Sequence, residues 1–153
     1  MKIIFLDIDG VLNSRQYDDR RRPEDGNIDH SRLPLLKRLV DRTDARIVLT
    51  SSWRCHWDPM GTETDAAGRE LVRTFLEGGI RLHDRTPVVG NNRPEEIRAW
   101  LADHPVRGFV ILDDIKLGWG SLEPYTVKTD YRIGRGLEQR HIERAIEILM
   151  KAE

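Results

Sequence analysis

Short unbroken apolar runs alternate along this chain with stretches whose apolar residues recur every three or four positions. Ile3, Ile4, Phe5 and Leu6 form the first run, the pattern of a strand covered on both faces. Arg46 to Leu49 (R-I-V-L) and Gly108 to Leu112 (G-F-V-I-L) predict two further buried strands. Ile80 to Leu82, Pro87 to Val89 and Tyr125 to Thr129 are shorter candidate strands. Between them, Leu33, Leu36, Leu39 and Val40 keep helical spacing. So do Leu71, Val72, Phe75 and Leu76, then Ile97, Trp100 and Leu101, and finally Ile142, Ala145, Ile146 and Leu149.

Local punctuation sharpens these elements. Ser31 is a candidate cap for the first helix, with Pro34 in its first turn, where a missing N–H costs nothing. The next helix runs from about Ala66 to Glu77 and stops at Gly78-Gly79. Pro94 at a first helical position, followed by Glu95 and Glu96, starts another, which His104-Pro105 ends. Ser14 to His30 is highly charged and without period, which predicts a loop or small flap. Asp58 to Asp65 and the segment with Gly118, Gly120 and Pro124 read as turns and loops. Buried strands alternating with helices define an α/β chain, a three-layer, Rossmann-like, doubly wound parallel sheet.

Composition narrows the picture. At 153 residues, the chain reads as a single domain over 1–153. Its 25 Lys and Arg stand against 26 Asp and Glu, a net charge of −1 with no basic footprint for nucleic acid. Mean hydropathy is −0.55, and no segment approaches the ~20 apolar residues of a membrane helix. Asp7 interrupts the first apolar run too early for a signal peptide, and the one cysteine, Cys55, has no internal partner. A cytoplasmic monomer that does not engage membranes is the expectation.

The candidate chemistry gathers at strand ends. Asp7 and Asp9 follow the first strand, and residues two apart on extended chain share a side. Two carboxylates so close repel unless a cation or shared proton relieves them, which points to a metal site with one acid left for chemistry. Asp113-Asp114 end the strand from Gly108, and a parallel sheet brings both pairs to one edge, around one cation. Thr50-Ser51-Ser52 follow the second strand, a hydroxyl-and-amide cradle suited to phosphate. Arg93 sits at the positive end of a helix, where an anion is favoured, with Lys128 as a rival cation. Arg15, or one of Arg20 to Arg22, is a candidate to reach over a bound phosphate ester. Trp53 either stacks on a base or sugar or belongs to the core; Arg54 either pairs with phosphate or is a structural ion-pair partner. Cys55, His56 and Asp58 lack a second ligand cluster and are set aside as a soft-metal site.

The run D-I-D-G-V-L-N from Asp7 to Asn13 resembles the first motif of the haloacid dehalogenase-like (HAD) phosphohydrolases. With S-S-W-R at Ser51 to Arg54, it is similar to the HAD domain of bacterial multidomain RNA-repair proteins. Thr50 with Ser51, Arg93, and Asp113-Asp114 resemble the second, third and fourth motifs in that order. The resemblance implies a Mg²⁺-dependent phosphatase. In it Asp7 attacks phosphorus to give an aspartyl-phosphate, and Asp9 serves as acid and then base. Asp7, Asp113 and Asp114 with the backbone carbonyl of Asp9 would hold the ion, while Thr50, Ser51 and Arg93 grip the phosphoryl oxygens. Asn13, Arg15, Trp53, Arg54 and Lys128 are candidate substrate contacts. HAD proteins often insert a cap between the second and third motifs; fewer than forty residues separate Trp53 from Gly90, so no substantial cap is expected. An open site suits a nucleotide or an RNA or DNA phosphate end.

Two rivals share the acidic theme. A PIN-like nuclease also gathers acids for two metals, but leaves Thr50 and Arg93 without a role. A non-catalytic phospho-receiver would carry its adjacent acids on the first strand, whereas here they are on the last acidic one.

Overall fold

A computed structural model describes residues 1–152. Five strands form one all-parallel sheet in the order β3-β2-β1-β4-β5, with β1 at Lys2–Leu6, β2 at Arg46–Leu49, β3 at Leu82–Arg85, β4 at Gly108–Asp113 and β5 at Thr126–Lys128. Helices cover both faces: α1 (Arg15–Arg20), α2 (Leu33–Thr43), α3 (Ala66–Glu77), α4 (Arg93–Asp103) and α5 (Gln139–Met150). The architecture is the Rossmann-like, three-layer α/β fold expected.

The period-two geometry of β1 divides the core in two. Ile4 and Leu6 face α2, α3 and α5, joining Leu36, Phe75 and Leu149. Ile3 and Phe5 face the other side, against Ile97 and Trp100 of α4 and Trp119 in the 3₁₀ segment Gly120–Tyr125 and its cap. All five residues of β1 are buried, which is why its sequence is an uninterrupted apolar run. Leu6 pairs with Leu49 on one side and with Leu112 on the other, so three strands end level at the sheet's carboxyl edge.

Four local expectations are corrected. The segment from Ser14 is not a plain loop: Ser14 caps α1 by accepting from the Tyr17 N–H, and buried Tyr17 brings its hydroxyl within 3.0 Å of the Gly26 carbonyl. One buried residue in six leaves no periodicity to detect. Ser31 is not the cap of α2; Asp29 caps a 3₁₀ turn over His30–Arg32 that runs straight into the helix. The two candidate strands near residues 80–89 are replaced by one, β3, whose sequence L-H-D-R is that of a half-exposed edge strand. Ile80 is buried just after α3, and Val88 and Val89 lie exposed on a loop. Leu76 points outward from α3, 51% exposed.

Residues 50–81 contain a 3₁₀ turn (Ser52–His56) and α3, whose Leu71 and Phe75 pack into the core; no inserted cap appears among the described residues. No helix there is long and apolar enough to cross a membrane.

Candidate active site

Strand order builds the site. β1 and β4 are neighbours, and the Asp7 N–H extends their ladder by donating to the Leu112 carbonyl at 3.1 Å. Asp7 and Asp113 thus leave adjacent central strands side by side. Carboxylate oxygens of Asp7, Asp113 and Asp114 lie within 4.8 Å of one another. Asp7 is 6% exposed and Asp113 is fully buried, so water does little to screen them.

Backbone and side-chain donors fix these acids. The Ile8 N–H donates to Asp7 Oδ1 at 2.9 Å, and the Ile115 N–H to Asp113 Oδ1 at 3.0 Å. Arg93, at the start of α4, donates through Nη1 to Asp113 Oδ2 at 2.6 Å and stands 3.4 Å from Asp7 Oδ2. One guanidinium does not offset the crowding. Burial first, then the Asp113 charge, pushes the Asp7 carboxyl up to about 7, against the pull of Arg93. Burial and Asp113 raise Asp114 as well. Burial works to lower Arg93, but Asp7 and Asp113 outweigh it and hold the guanidinium more firmly charged. Three oxygen donors whose own repulsion favours neutralisation suit a hard divalent ion.

Asp9 stands apart. Its carboxylate does not join the cluster, so a metal contact from Asp9 would come from its backbone carbonyl. Three donors hold the side chain: Asn13 Nδ2 at 2.9 Å and Asn27 Nδ2 at 3.1 Å on Oδ1, and Trp53 Nε1 at 3.3 Å on Oδ2. The turn between Asp7 and Asn13 depends on Gly10, which has φ +83° and packs against Asp114. A Cβ there would come 2.2 Å from Asp114 Oδ2. Thr129 ties the two acidic loops together, its hydroxyl donating to the Gly10 carbonyl at 2.6 Å and its N–H to the Asp113 carbonyl at 2.9 Å.

Thr50 follows β2, its N–H bonded to the Leu6 carbonyl at 2.9 Å. It is fully buried, and its Oγ1 has no hydrogen-bond partner among the described residues. Such an orphan hydroxyl at a strand end is the kind of group a phosphoryl oxygen would satisfy. The Ser51 hydroxyl accepts from the Trp53 N–H at 3.2 Å and so caps the 3₁₀ turn.

The remaining sequence candidates fall elsewhere. Arg54 is buried; it donates to the carbonyls of Thr50 (2.8 Å), Ser51 (3.0 Å) and Thr86 (2.9 Å) and pairs with Glu96 of α4 at 2.9 Å. In this structure its contacts are those of a structural ion-pair partner. Asn13 is 1% exposed, accepts from the Gly10 N–H at 2.8 Å and braces Asp9. Arg15, Arg20, Arg21 and Arg22 each pair with a carboxylate of their own segment. Lys128, the last residue of β5, pairs with Glu123 of the preceding 3₁₀ segment, whereas Arg93 contacts Asp7 and Asp113.

Three residues near the acids escaped the sequence reading. Asn27 lies in an irregular stretch and gives no signal. Thr129 follows β5 at the same sheet edge as Thr50, and that position was the available clue. Lys116 reaches the Thr129 carbonyl and stands 3.5 Å from Asp130, where its charge acts on Asp114.

Central parallel strands ending in buried acids, with a strand-end threonine and a helix-start arginine beside them, define a domain of the HAD class. Residues 3–142 match the family of HAD domains in Swiss Army Knife RNA repair proteins, and the chain belongs to that family. No curated protein and no solved structure matches it. HAD domains generally use Mg²⁺, and the aspartate cluster has the donor set for that ion.

Proposed function

We propose that this chain is a Mg²⁺-dependent phosphomonoester hydrolase that works through an aspartyl-phosphate on Asp7, on a nucleotide or a polynucleotide phosphate end. The observation that carries the reading is the division of labour among the acids. Asp7, Asp113 and Asp114 converge within 4.8 Å, while Asp9, two residues from Asp7, is held separately by three N–H donors. Bound Mg²⁺ would neutralise the cluster and the phosphate dianion, and Asp7, Asp113 and Asp114 are the side chains to hold it.

The steps follow from the chain's own residues. An Asp7 oxygen attacks phosphorus in line, a P–O bond to Asp7 forms, and the bond to the leaving oxygen breaks. Asp9 gives that oxygen its proton, then takes one from the water that displaces Asp7 and releases phosphate. Arg93 and the Thr50 hydroxyl stabilise the charge spread over the equatorial oxygens. Arg54 holds the Thr50 and Ser51 carbonyls, keeping the cradle in register with α4. The family supports the nucleic-acid side of the reading, although the chain's net charge of −1 supplies no general attraction for polyanions.

Phosphate release from an aryl phosphate, with 3′- and 5′-phosphorylated oligonucleotides run beside it, is the test. Mg²⁺-dependent release that EDTA and Asp7→Asn both abolish is the expected result. Full activity in Asp7→Asn, or activity that survives EDTA, would overturn the mechanism.

A further inference from the structure

The group that leaves phosphorus must depart beside the acid that protonates it. That fixes one neighbourhood, the surroundings of the Asp9 carboxylate. Asn27 and Trp53, two of the three donors to Asp9, are also part of the wall of a cavity of about 640 Å³ between residues 24–31 and α3. That size is in the range of pockets that take one small molecule. Ile8 and Leu71 give it an apolar floor, and the half-buried Trp53 gives it an aromatic wall.

Its charges decide what fits. Glu24, Asp25 and Asp29 line one side, and Glu70 and Glu77 the other. Arg73, the permanently charged cation on its wall, is engaged by Glu70 and stands 3.9 Å from Glu77. Arg22 pairs with Glu24 and Asp25, and Arg20 with Asp29, from outside the wall. A second phosphate inside the cavity would therefore meet five carboxylates and no unpaired arginine or lysine on the wall. An uncharged planar ring meets no such penalty and can stack on Trp53.

We infer that this cavity is the leaving-group subsite, built for one uncharged alcohol that bears a planar ring and carries no second phosphate. The inference rests on the phosphohydrolase reading above and adds the class of leaving group to it. A polynucleotide end carries a phosphodiester on that same nucleoside and is disfavoured with the bisphosphate, so of the two substrates proposed above the inference selects the mononucleotide.

Three substrates test it: a nucleoside monophosphate, methyl phosphate and a nucleoside 3′,5′-bisphosphate. The monophosphate should exceed each of the others in kcat/KM by roughly tenfold or more, the scale of one stacked ring. Ala67→Phe, an exposed lining position in the first turn of α3, narrows the cavity. It should lower the ratio of nucleoside monophosphate to methyl phosphate by roughly tenfold. Glu70→Lys should raise the relative rate on the bisphosphate. Equal kcat/KM for the monophosphate and methyl phosphate, or an unchanged ratio in Ala67→Phe, overturns the inference while leaving the phosphohydrolase reading intact. Release of phosphate from none of the three sinks the phosphohydrolase reading instead. Equilibrium dialysis of the unphosphorylated nucleoside then decides the subsite alone: binding that Ala67→Phe weakens supports it, and no binding to the parent chain overturns it.

Discussion

Asp7 carries two burdens at once, as the expected nucleophile and as a buried acid beside two others. Its carboxyl is raised from 3.8 to about 7, chiefly by burial and by Asp113. An acid raised in the folded state leaves stability intact below its unfolded value and removes it as pH climbs through the folded one. The contribution of Asp7 to the stability of the metal-free protein is therefore lost between about pH 4 and pH 7. In chelator, Asp7→Asn should be more resistant to urea than the parent at pH 8 and little different at pH 4. Added Mg²⁺ should narrow the gap, because it stabilises only the parent's full cluster. Urea midpoints with Asp7→Asn the weaker protein at pH 8 would contradict this account of the cluster.

Thr50 poses the opposite case, a buried hydroxyl with no partner of its own. If that hydroxyl serves the phosphoryl group, Thr50→Val keeps the shape and removes one donor. The expected loss in kcat is roughly 10²-fold or a little more, with the fold kept. A Thr50→Val protein with unchanged kcat would remove Thr50 from the phosphate grip. Residues such as Asp7, Asp113 and Thr50 were legible because each directly ends a buried strand, and such strands advertise themselves as apolar runs. Asn27 reaches the site by long-range folding, which leaves no local trace, and Thr129 has only its position after a strand end to mark it.

Among the elements, α4 and the turn after β2 are locked together by one buried ion pair. Arg54 is 6% exposed and Glu96 2%, and Glu96 also accepts from the Val89 N–H at 3.0 Å. The pair thus holds the Thr50–Ser51 cradle against the helix that carries Arg93. Glu96→Ala strands a buried guanidinium and should cost about 3–5 kcal/mol in urea unfolding. Glu96→Gln keeps hydrogen-bonding capacity and should cost less. A negligible loss in Glu96→Ala would mean that the cradle and α4 are held independently. The sequence left Arg54 poised between two roles because its spacing from Thr50 says nothing of Glu96, 42 positions further on. The edge strand β3 and the short helix α1 were missed for another reason. Half-exposed or six-residue elements bury too few side chains to impose a period.

At the scale of the whole molecule, the parallel winding converts sequence order into a site. β1 and β4 are about a hundred residues apart in the chain, yet their pairing brings Asp7 beside Asp113. The same winding sets β2 on the other flank of β1, which adds Thr50, and feeds Arg93 in from the start of α4. This much was readable in advance, because strands covered on both faces must sit centrally and their carboxyl ends must share an edge. The cavity beside Asp9 was not, since residues 24–31 and α3 meet only through the fold.

The central claim is that phosphoryl transfer passes through Asp7 in two displacements rather than one. Each in-line displacement inverts phosphorus, so two give net retention and a direct attack by water gives inversion. The deciding measurement is the stereochemical course of hydrolysis, read from a phosphorothioate ester made chiral by two oxygen isotopes and turned over in water of the third, which releases a chiral thiophosphate. Retention is the predicted result; inversion would contradict an aspartyl-phosphate and favour direct, nuclease-like attack by water.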